Sequence, residues 1–600
     1  LAGCSVIGAT LNRSQAFQAY DIYSGWGFIA LLMTLTAITF AKALPLGVLA
    51  IMMATGFALS RTLRQRYFAA PFWLLALGPG LLILTAINIA GVAKWDDFAE
   101  WVPNALYLFQ FDSLPGHASP APASASPGYP YALPFLTYLA SWLAGGFLMQ
   151  GGAMVNFLLL LSFASLLAGL SKSPCRPLGT STIGLAALAT LIVTLANPGF
   201  NSSFTITNQG DAATMVMTGA LGILFWRLTN ALREDDQSGC ATLFVPLALS
   251  SMTLVLIKST NVVLLVLLAL GTLLNATKDK KLRPALLSVV AIILPAIIMH
   301  VVWTKYALTE IKGNGLAVLP FGLWRFDLAR PLVQSILEEM VKKNGLSLLM
   351  LATSLYGLIG FLRPSTPLRG FALIAGVTYG GYLLFLTWAY IGISFTEAEI
   401  RRAASFYRYS SHIALLGITF VWLGAAEAWP VLRAKTPPGL LAFLTAPIGV
   451  AVLVLFLPVA FVLHHEWLVP QPGAEICRMR GFGHSLAAAL PNNANVVVLE
   501  PETAGLFSYV LSLEFSLERT RGPKTETLEW FADMSKFGRD RTELPHYLAR
   551  AEKAPVTTLC VPQSLQTPLE IEGFDNSQGP LVLQREGEHW RHLLPESGSL

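Results

Sequence analysis

The chain has 600 residues, 54% of them hydrophobic and only 12% charged, with a mean hydropathy of +0.58. Soluble proteins carry about 25% charged residues, so the composition excludes a water-soluble enzyme, a disordered chain, a collagen and a disulfide scaffold. The net charge of +5 carries no nucleic-acid signal, because the basic residues have a membrane explanation.

Charge is unevenly placed along the chain. From His464 onward 30 of 137 residues are charged, 18 acidic and 12 basic, whereas the first 463 hold 17 acidic and 28 basic. Residues 1–463 therefore read as a polytopic α-helical membrane body and residues 464–600 as a small soluble α/β domain. A helix needs about 20 mostly apolar residues to cross a bilayer core. Thirteen stretches meet this, near 24–41, 44–60, 71–93, 152–170, 180–197, 212–228, 241–257, 260–275, 285–303, 346–362, 370–391, 412–429 and 440–463. A further stretch, 131–149, follows Tyr129-Pro130.

Cytoplasmic loops are enriched in Lys and Arg. The groups Arg61, Arg64 and Arg66, then Lys172 and Arg176, then Arg227 and Arg233 fall between spans. So do Lys278, Lys280, Lys281 and Arg283, then Arg363 and Arg369, and last Arg433 and Lys435. All share one side only if 131–149 does not cross, which makes it a partly embedded outer helix. The N-terminus is then cytoplasmic and the tail outside. The longer outer segments are 94–151, 198–211, 304–345 and 392–411, and loops carried on a rigid scaffold are where function concentrates.

Leu1-Ala2-Gly3-Cys4 looks like a lipoprotein cleavage box but lacks the charged and apolar regions that precede one. The five cysteines show no metal-ligand spacing. A Cys477–Cys560 disulfide and two separate thiols are equally open. In the tail, 495–499, 556–561 and 581–583 read as strands, and 503–513 and 526–535 as helices.

The first long outer segment opens Lys94-Trp95-Asp96-Asp97-Phe98-Ala99-Glu100-Trp101. Carboxylates directly after a span sit near hydrocarbon, where charge is costly and tends to be functional. The ordinary alternative is an acidic helix end within an interfacial tryptophan belt. An amphipathic helix from Phe98 to Phe111, a Pro/Ala/Ser-rich loop from Gly116 to Gly128 and Tyr129-Pro130-Tyr131 follow. Asp211, in Asn208-Gln209-Gly210-Asp211, lies where the chain re-enters the membrane, and its ordinary role there would be a helix N-cap. Lys258 sits at an outer hinge, or snorkels from a span end. Glu399-Ile400-Arg401-Arg402-Ala403-Ala404-Ser405-Phe406-Tyr407-Arg408-Tyr409 is also outside; in the ordinary reading Arg401 and Arg402 only pair with Glu397 and Glu399. Segment 304–345, with Lys305, Lys312, Arg325, Arg330, Lys342 and Lys343 among Trp303, Trp324 and Phe326, suits an amphipathic helix on an anionic leaflet or the wall of a lipid entrance. His464-His465-Glu466 reads as a polar span end or a metal cluster.

The order of acidic pair, amphipathic helix, flexible loop, Tyr-Pro and membrane helix resembles the first outer loop of the glycosyltransferase C superfamily. Those integral-membrane enzymes take sugars from polyprenyl-phosphate carriers. Asp96-Asp97-Phe98 with Trp101, followed by Tyr129-Pro130, is similar to a pattern of bacterial members, Asp-Glu/Asp-Phe-x-x-Trp and Tyr-Pro-Pro, with Tyr131 replacing the second proline. Ser405-Phe406-Tyr407-Arg408-Tyr409 is similar to their Ser-Phe-x-Arg-Tyr element. The resemblance spans 24–463 and not the tail.

The resemblance implies an enzyme of the bacterial inner membrane with periplasmic loops. It would transfer a hexosyl or pentosyl unit from a polyprenyl-phosphate or diphosphate carrier to a glycan or lipid acceptor. Transfer to a hydroxyl needs a base, and a departing lipid phosphate needs cations. Asp96 is the expected base, with Asp97 as its substitute. Asp211 would orient the acceptor or hold a divalent cation (Mg or Mn), the one cofactor in view. Arg408 and Lys258, with Arg401, Arg402 and Tyr409 nearby, would bind phosphate. A single displacement would invert the anomeric carbon. Two competitors remain. A transporter or flippase of a lipid-linked precursor would place charges mid-span in repeated halves. An O-antigen-ligase-like polymerase would use one large late outer loop, such as 304–345.

Overall fold

The computed structural model describes residues 1–14, 17–40, 43–62, 71–116, 122–170, 180–311, 318–363, 366–435, 472–489, 496–498, 506–520, 558–561, 581–586 and 589–592. The expected span 440–463, the His464-His465-Glu466 group, Arg64, Arg66, Lys172, Arg176, Lys312 and the expected helix 526–535 lie outside the described residues.

The body opens with α1 (Ala2–Leu11), α2 (Ala19–Thr39), α3 (Leu44–Thr62), α4 (Pro71–Leu77) and α5 (Pro79–Ala90). The first outer segment holds a π-helical turn (Asp97–Trp101), α6 (Val102–Phe111) and α7 (Ala132–Ala144). Then come α8 (Gly151–Leu170), α9 (Thr180–Val193), the short α10 (Ser202–Thr205), α11 (Asp211–Arg233) and α12 (Gln237–Ile257). A 3-10 turn (Ser259–Asn261) leads into α13 (Val262–Lys278) and α14 (Leu282–Glu310). The last part comprises α15 (Ala329–Lys342), α16 (Asn344–Leu362), α17 (Pro367–Gly392), α18 (Glu397–Arg401), α19 (Phe406–Ser410) and α20 (Ala414–Lys435).

Among the described residues, nine helical stretches are long and apolar enough to cross a membrane. They are α2, α8, α11, α12, α13 with its preceding turn, α14, α16, α17, and α19 running into α20 as Phe406–Trp429. Three of the thirteen expected spans fall short. Residues 71–93 break into α4 and α5, because Gly78 precedes Pro79, whose ring removes a backbone donor and clashes with the preceding turn. Residues 180–197 stop at Val193, after which the Asn197 amide donates to the Val193 carbonyl (3.0 Å) and Pro198 follows. Residues 44–60 lie within α3, of which the part Leu44–Ser60 counts among the shorter apolar helices. Helix α7 has 13 residues and is about 20 Å long at 1.5 Å per residue, too short to cross a core about 30 Å thick.

Helix packing defines two ends. At one end the basic turns meet: Lys281 pairs with Asp235 (2.5 Å), Lys278 bonds the carbonyls of Gly360 and Arg363, and Asn275 donates to the Gly370 carbonyl (2.8 Å). At the other, the Trp303 indole donates to the Gly128 carbonyl (2.9 Å) and Tyr306 to that of Pro115 (2.9 Å). Helix α11, 23 residues long and so about 34 Å, runs from Asp211 at this second end to Arg233 at the first. Gly357 lets α16 and α17 approach closely: a Cβ there would lie 2.5 Å from the Ala372 carbonyl oxygen.

Beyond the body, α21 (Ala474–Ala489) and α22 (Leu506–Thr520) accompany a four-stranded sheet in the order β1 (Val496–Val498), β2 (Thr558–Val561), β3 (Leu581–Glu586), β4 (His589–His592). The β1–β2 pair is parallel and the other two pairs antiparallel. Cys477 is an exposed free thiol, so it forms no disulfide with Cys560. Helix α22 does not stand apart from the body. Val510 and Leu513 share a buried cluster with Val92, Phe98, Val102 and Leu106, Gln110 donates to the Ser516 carbonyl (2.6 Å), and Trp95 packs on Tyr509.

Candidate active site

The second end of the bundle gathers charged side chains from four separate segments. The first is the turn after α5. Its first carboxylate, Asp96, pairs directly with Arg408, which is 312 residues away in sequence. Asp96 is 18% exposed and Arg408 22%, so the pair is partly open at the surface. Its neighbour Asp97 is buried and accepts the backbone N–H of Asn208 at 3.0 Å. Burial, then the charge on Asp96, holds the Asp97 carboxyl well above the usual carboxylate range, only partly offset by that N–H and by Lys94. Asp97 therefore anchors the 198–211 segment and is not open to a substrate.

The backbone at 97–101 is a π-helical turn; such bulges insert an extra residue and recur at functional sites. It brings Glu100 beside this pair, where the half-buried carboxylate accepts from the Ser126 hydroxyl at 2.9 Å. Burial, then the Asp96 charge, pushes the Glu100 carboxyl up to about 7. Segment 122–131 is fastened to the same turn. The Ala125 N–H donates to the Ala99 carbonyl (2.7 Å), the Asn104 amide to the Ser126 carbonyl (3.3 Å), and Tyr131 to Asn104 Oδ1 (3.2 Å).

The second and third segments meet at Asp211. The helix starts at Asp211 with Gly210 as its cap, and no side-chain capping bond forms, so the N-cap role does not apply. Its carboxylate is 1% exposed and Oδ1 accepts from two groups: Lys258 Nζ at 2.8 Å and His412 Nε2 at 2.7 Å. A carboxylate oxygen only accepts, so Nε2 carries the proton, and in a neutral ring Nδ1 then accepts from the Tyr382 hydroxyl at 2.9 Å. Lys258 occupies the extended residue that ends α12; it sits over the Trp101 ring, 5.7 Å from the centroid. Trp101 is itself buried beneath it rather than part of an interfacial belt. Gly210 permits this layering, since a Cβ there would lie 2.5 Å from Trp101 Cη2.

The fourth segment is 403–412. Ala403 and Ser405 adopt left-handed φ of 45° and 63°, uncommon for residues with a Cβ and frequent where strain serves function. The resulting sharp turn delivers Arg408 to Asp96. Arg408 also approaches Gln209 Oε1 (3.5 Å) and the Tyr409 hydroxyl (3.4 Å), with its guanidinium 5.2 Å from the Tyr409 ring centroid. Two buried atoms here have no hydrogen-bond partner among the described residues, Arg408 Nε and Asp211 Oδ2.

Arg401 and Arg402 do not join this cluster. Both are exposed, and Arg401 pairs with Glu397 (2.7 Å) on the surface turn α18, the ordinary alternative. Glu399 instead caps α18 through Thr396. The Lys258 ammonium, 2.8 Å from Asp211 Oδ1, takes the position a divalent cation would need on that oxygen. Among the described residues no group of three or more His, Cys, Asp or Glu side chains is arranged to hold an ion. Sequence reading missed His412 and Glu100. The first carried a usable signal, an ionisable residue entering an apolar span; the second became visible only through the π-helical turn.

No protein-family model matches the chain, and no curated protein matches it. Several solved structures are similar, including two of an archaeal oligosaccharyltransferase. The oligosaccharyltransferase of Archaeoglobus fulgidus in its apo form is 10% identical, with 83% of this chain and 70% of that chain covered and a TM-score of 0.46. The archaeal oligosaccharyltransferase AglB from Archaeoglobus fulgidus, in complex with an inhibitory peptide and a dolichol-phosphate, is 10% identical over the same shares, with a TM-score of 0.43. Scores this low define neither a shared fold nor a shared activity.

Proposed function

We propose that the chain is a membrane glycosyltransferase whose site lies at the Asp96–Arg408 end of the helix bundle. It transfers a hexosyl or pentosyl unit from a polyprenyl-phosphate or diphosphate donor to a glycan or lipid acceptor, on the periplasmic face of a bacterial inner membrane. One observation carries this reading: the acidic turn 96–100 and the cations Arg408 and Lys258, distant in sequence, converge on one partly exposed cluster at a span end. Cations at that depth suit an anionic headgroup whose lipid tail stays in the bilayer. The planar guanidinium grips phosphate oxygens, and the ammonium acts as a point charge. Both would stabilise the negative charge that grows on the leaving phosphate.

In this mechanism a carboxylate of the 96–100 turn takes the proton of the acceptor hydroxyl. The acceptor oxygen attacks the anomeric carbon from the face opposite the phosphate, and its configuration inverts. Asp211 does not contact the acceptor; it holds Lys258 in place. A transporter would place its charges mid-span, whereas Asp211 and Lys258 lie at helix ends.

The test is a transfer assay in membranes with a panel of labelled polyprenyl-phosphate sugars, comparing wild type with Arg408→Ala. Wild type transfers from at least one donor, and the variant loses about 100-fold or more. No transfer by wild type from any of them, or equal turnover by the variant, refutes the proposal.

A further inference from the structure

Three carboxylates crowd the 96–100 turn, and their surroundings differ. Asp97 is buried against the Asn208 backbone. Asp96 is bound by Arg408. Glu100 stands four residues after Asp96, a spacing that brings two side chains to one helix face. It is half-buried, forms no ion pair among the described residues, and accepts a hydrogen bond from the neutral Ser126 hydroxyl. Of the three, it is the accessible carboxylate whose lone pairs no cation occupies.

We propose that Glu100 is the group that takes the acceptor hydroxyl's proton, and that Asp96 is a positioning residue that sets Arg408 for the donor phosphate. This rests on the glycosyl-transfer reading above. In the step, the acceptor oxygen bonds to the anomeric carbon as the bond from that carbon to the phosphate oxygen breaks. The electron pair leaves on the phosphate, held by Arg408 and Lys258. The hydroxyl proton moves to the Glu100 carboxylate and passes to water once product leaves.

The electrostatic surroundings agree. A general base works best when its pKa lies near the operating pH, and Glu100 is pushed up to about 7. The groups that face it come from every element around it. Asp96 belongs to its own turn, Ser126 and Tyr129 to segment 122–131, Arg408 to α19, and Lys258 to the break after α12. Burial and Asp96 raise its pKa, while Ser126, Arg408 and Lys258 lower it.

The experiment measures kcat and donor KM of the purified full-length chain between roughly pH 5.5 and 8.5, with the lipid-linked sugar that supports wild-type transfer. Glu100→Gln preserves the acceptor oxygen for Ser126, and its thermal midpoint reports whether it folds. Wild-type kcat/KM, which reports the free enzyme, is expected to rise with pH through an inflection near 7. Glu100→Gln should lose about 100- to 10,000-fold in kcat, with donor KM within a few-fold and no inflection in the residual rate. Asp96→Asn should keep an inflection, moved to lower pH because the Asp96 charge no longer raises the Glu100 pKa, and mainly raise donor KM. A Glu100→Gln kcat within about threefold of wild type overturns the assignment. A flat wild-type profile overturns it as well, without any variant. Absence of wild-type transfer from every lipid-linked sugar refutes the glycosyl-transfer reading, and this assignment with it; an active wild type beside an active Glu100→Gln refutes this assignment alone.

Discussion

Replacing Lys258 with Met isolates the energetics of the buried Asp211 cluster. At 2.8 Å and an effective dielectric of about 20, the gross attraction of the pair is about 6 kcal/mol. Most of that offsets the desolvation of the two charges. Removing one partner is different, because Asp211 is 1% exposed and would be left as a buried carboxylate. Such losses run at about 3–5 kcal/mol. His412 still donates to Oδ1 at 2.7 Å, which points to the lower end, about 3 kcal/mol. In Lys258→Met with Asp211→Asn the stranded charge disappears, and the loss should fall to about 1 kcal/mol. The assay is reversible unfolding in mixed detergent micelles, run as a double-mutant cycle. A coupling of about 2 kcal/mol or more is expected. Additive losses in the double variant would show that Lys258 does not compensate Asp211, and the electrostatic account of the site would fail.

Other consequences are direct. Arg401→Gln should change stability by less than about 0.5 kcal/mol and leave transfer unchanged, since its pair with Glu397 is more than half exposed; a loss of activity would return Arg401 to the site. Leu513→Asp places a charge in the cluster that joins α22 to Phe98 and Val102. Hydrogen exchange across 92–106 should accelerate, and unchanged protection would show that α22 does not brace the acidic turn. Single cysteines at Ser124 and Asp279, in a background with all five native cysteines replaced by serine, should label from opposite sides of sealed vesicles. Labelling of both from one side would break the topology.

Much of the membrane body was legible because lipid solvation forces long apolar runs into the sequence. The separation into two ends was legible in part: the basic turns near 235, 280 and 363 meet at one end, and Asp96, Asp211, Lys258 and Arg408 gather at the other. The break at Gly78-Pro79 was written plainly, yet the apolar count across 71–93 hid it. Contacts between distant segments leave no local mark. Nothing near Asp97 announces that the Asn208 backbone covers it, and nothing near Glu100 announces a π-helical turn. Arg401 and Arg408 look alike in sequence; the left-handed turn at Ala403 and Ser405 separates the surface residue from the site residue.

The most direct measurement is a cryo-EM structure of the chain in lipid nanodiscs with a non-hydrolysable polyprenyl-phosphate sugar analogue. The account predicts phosphate oxygens within about 3 Å of Arg408 and Lys258 nitrogens, with the anomeric carbon facing the Asp96–Glu100 turn. A phosphate at the opposite end of the bundle, beside Lys278 and Lys281, would contradict it.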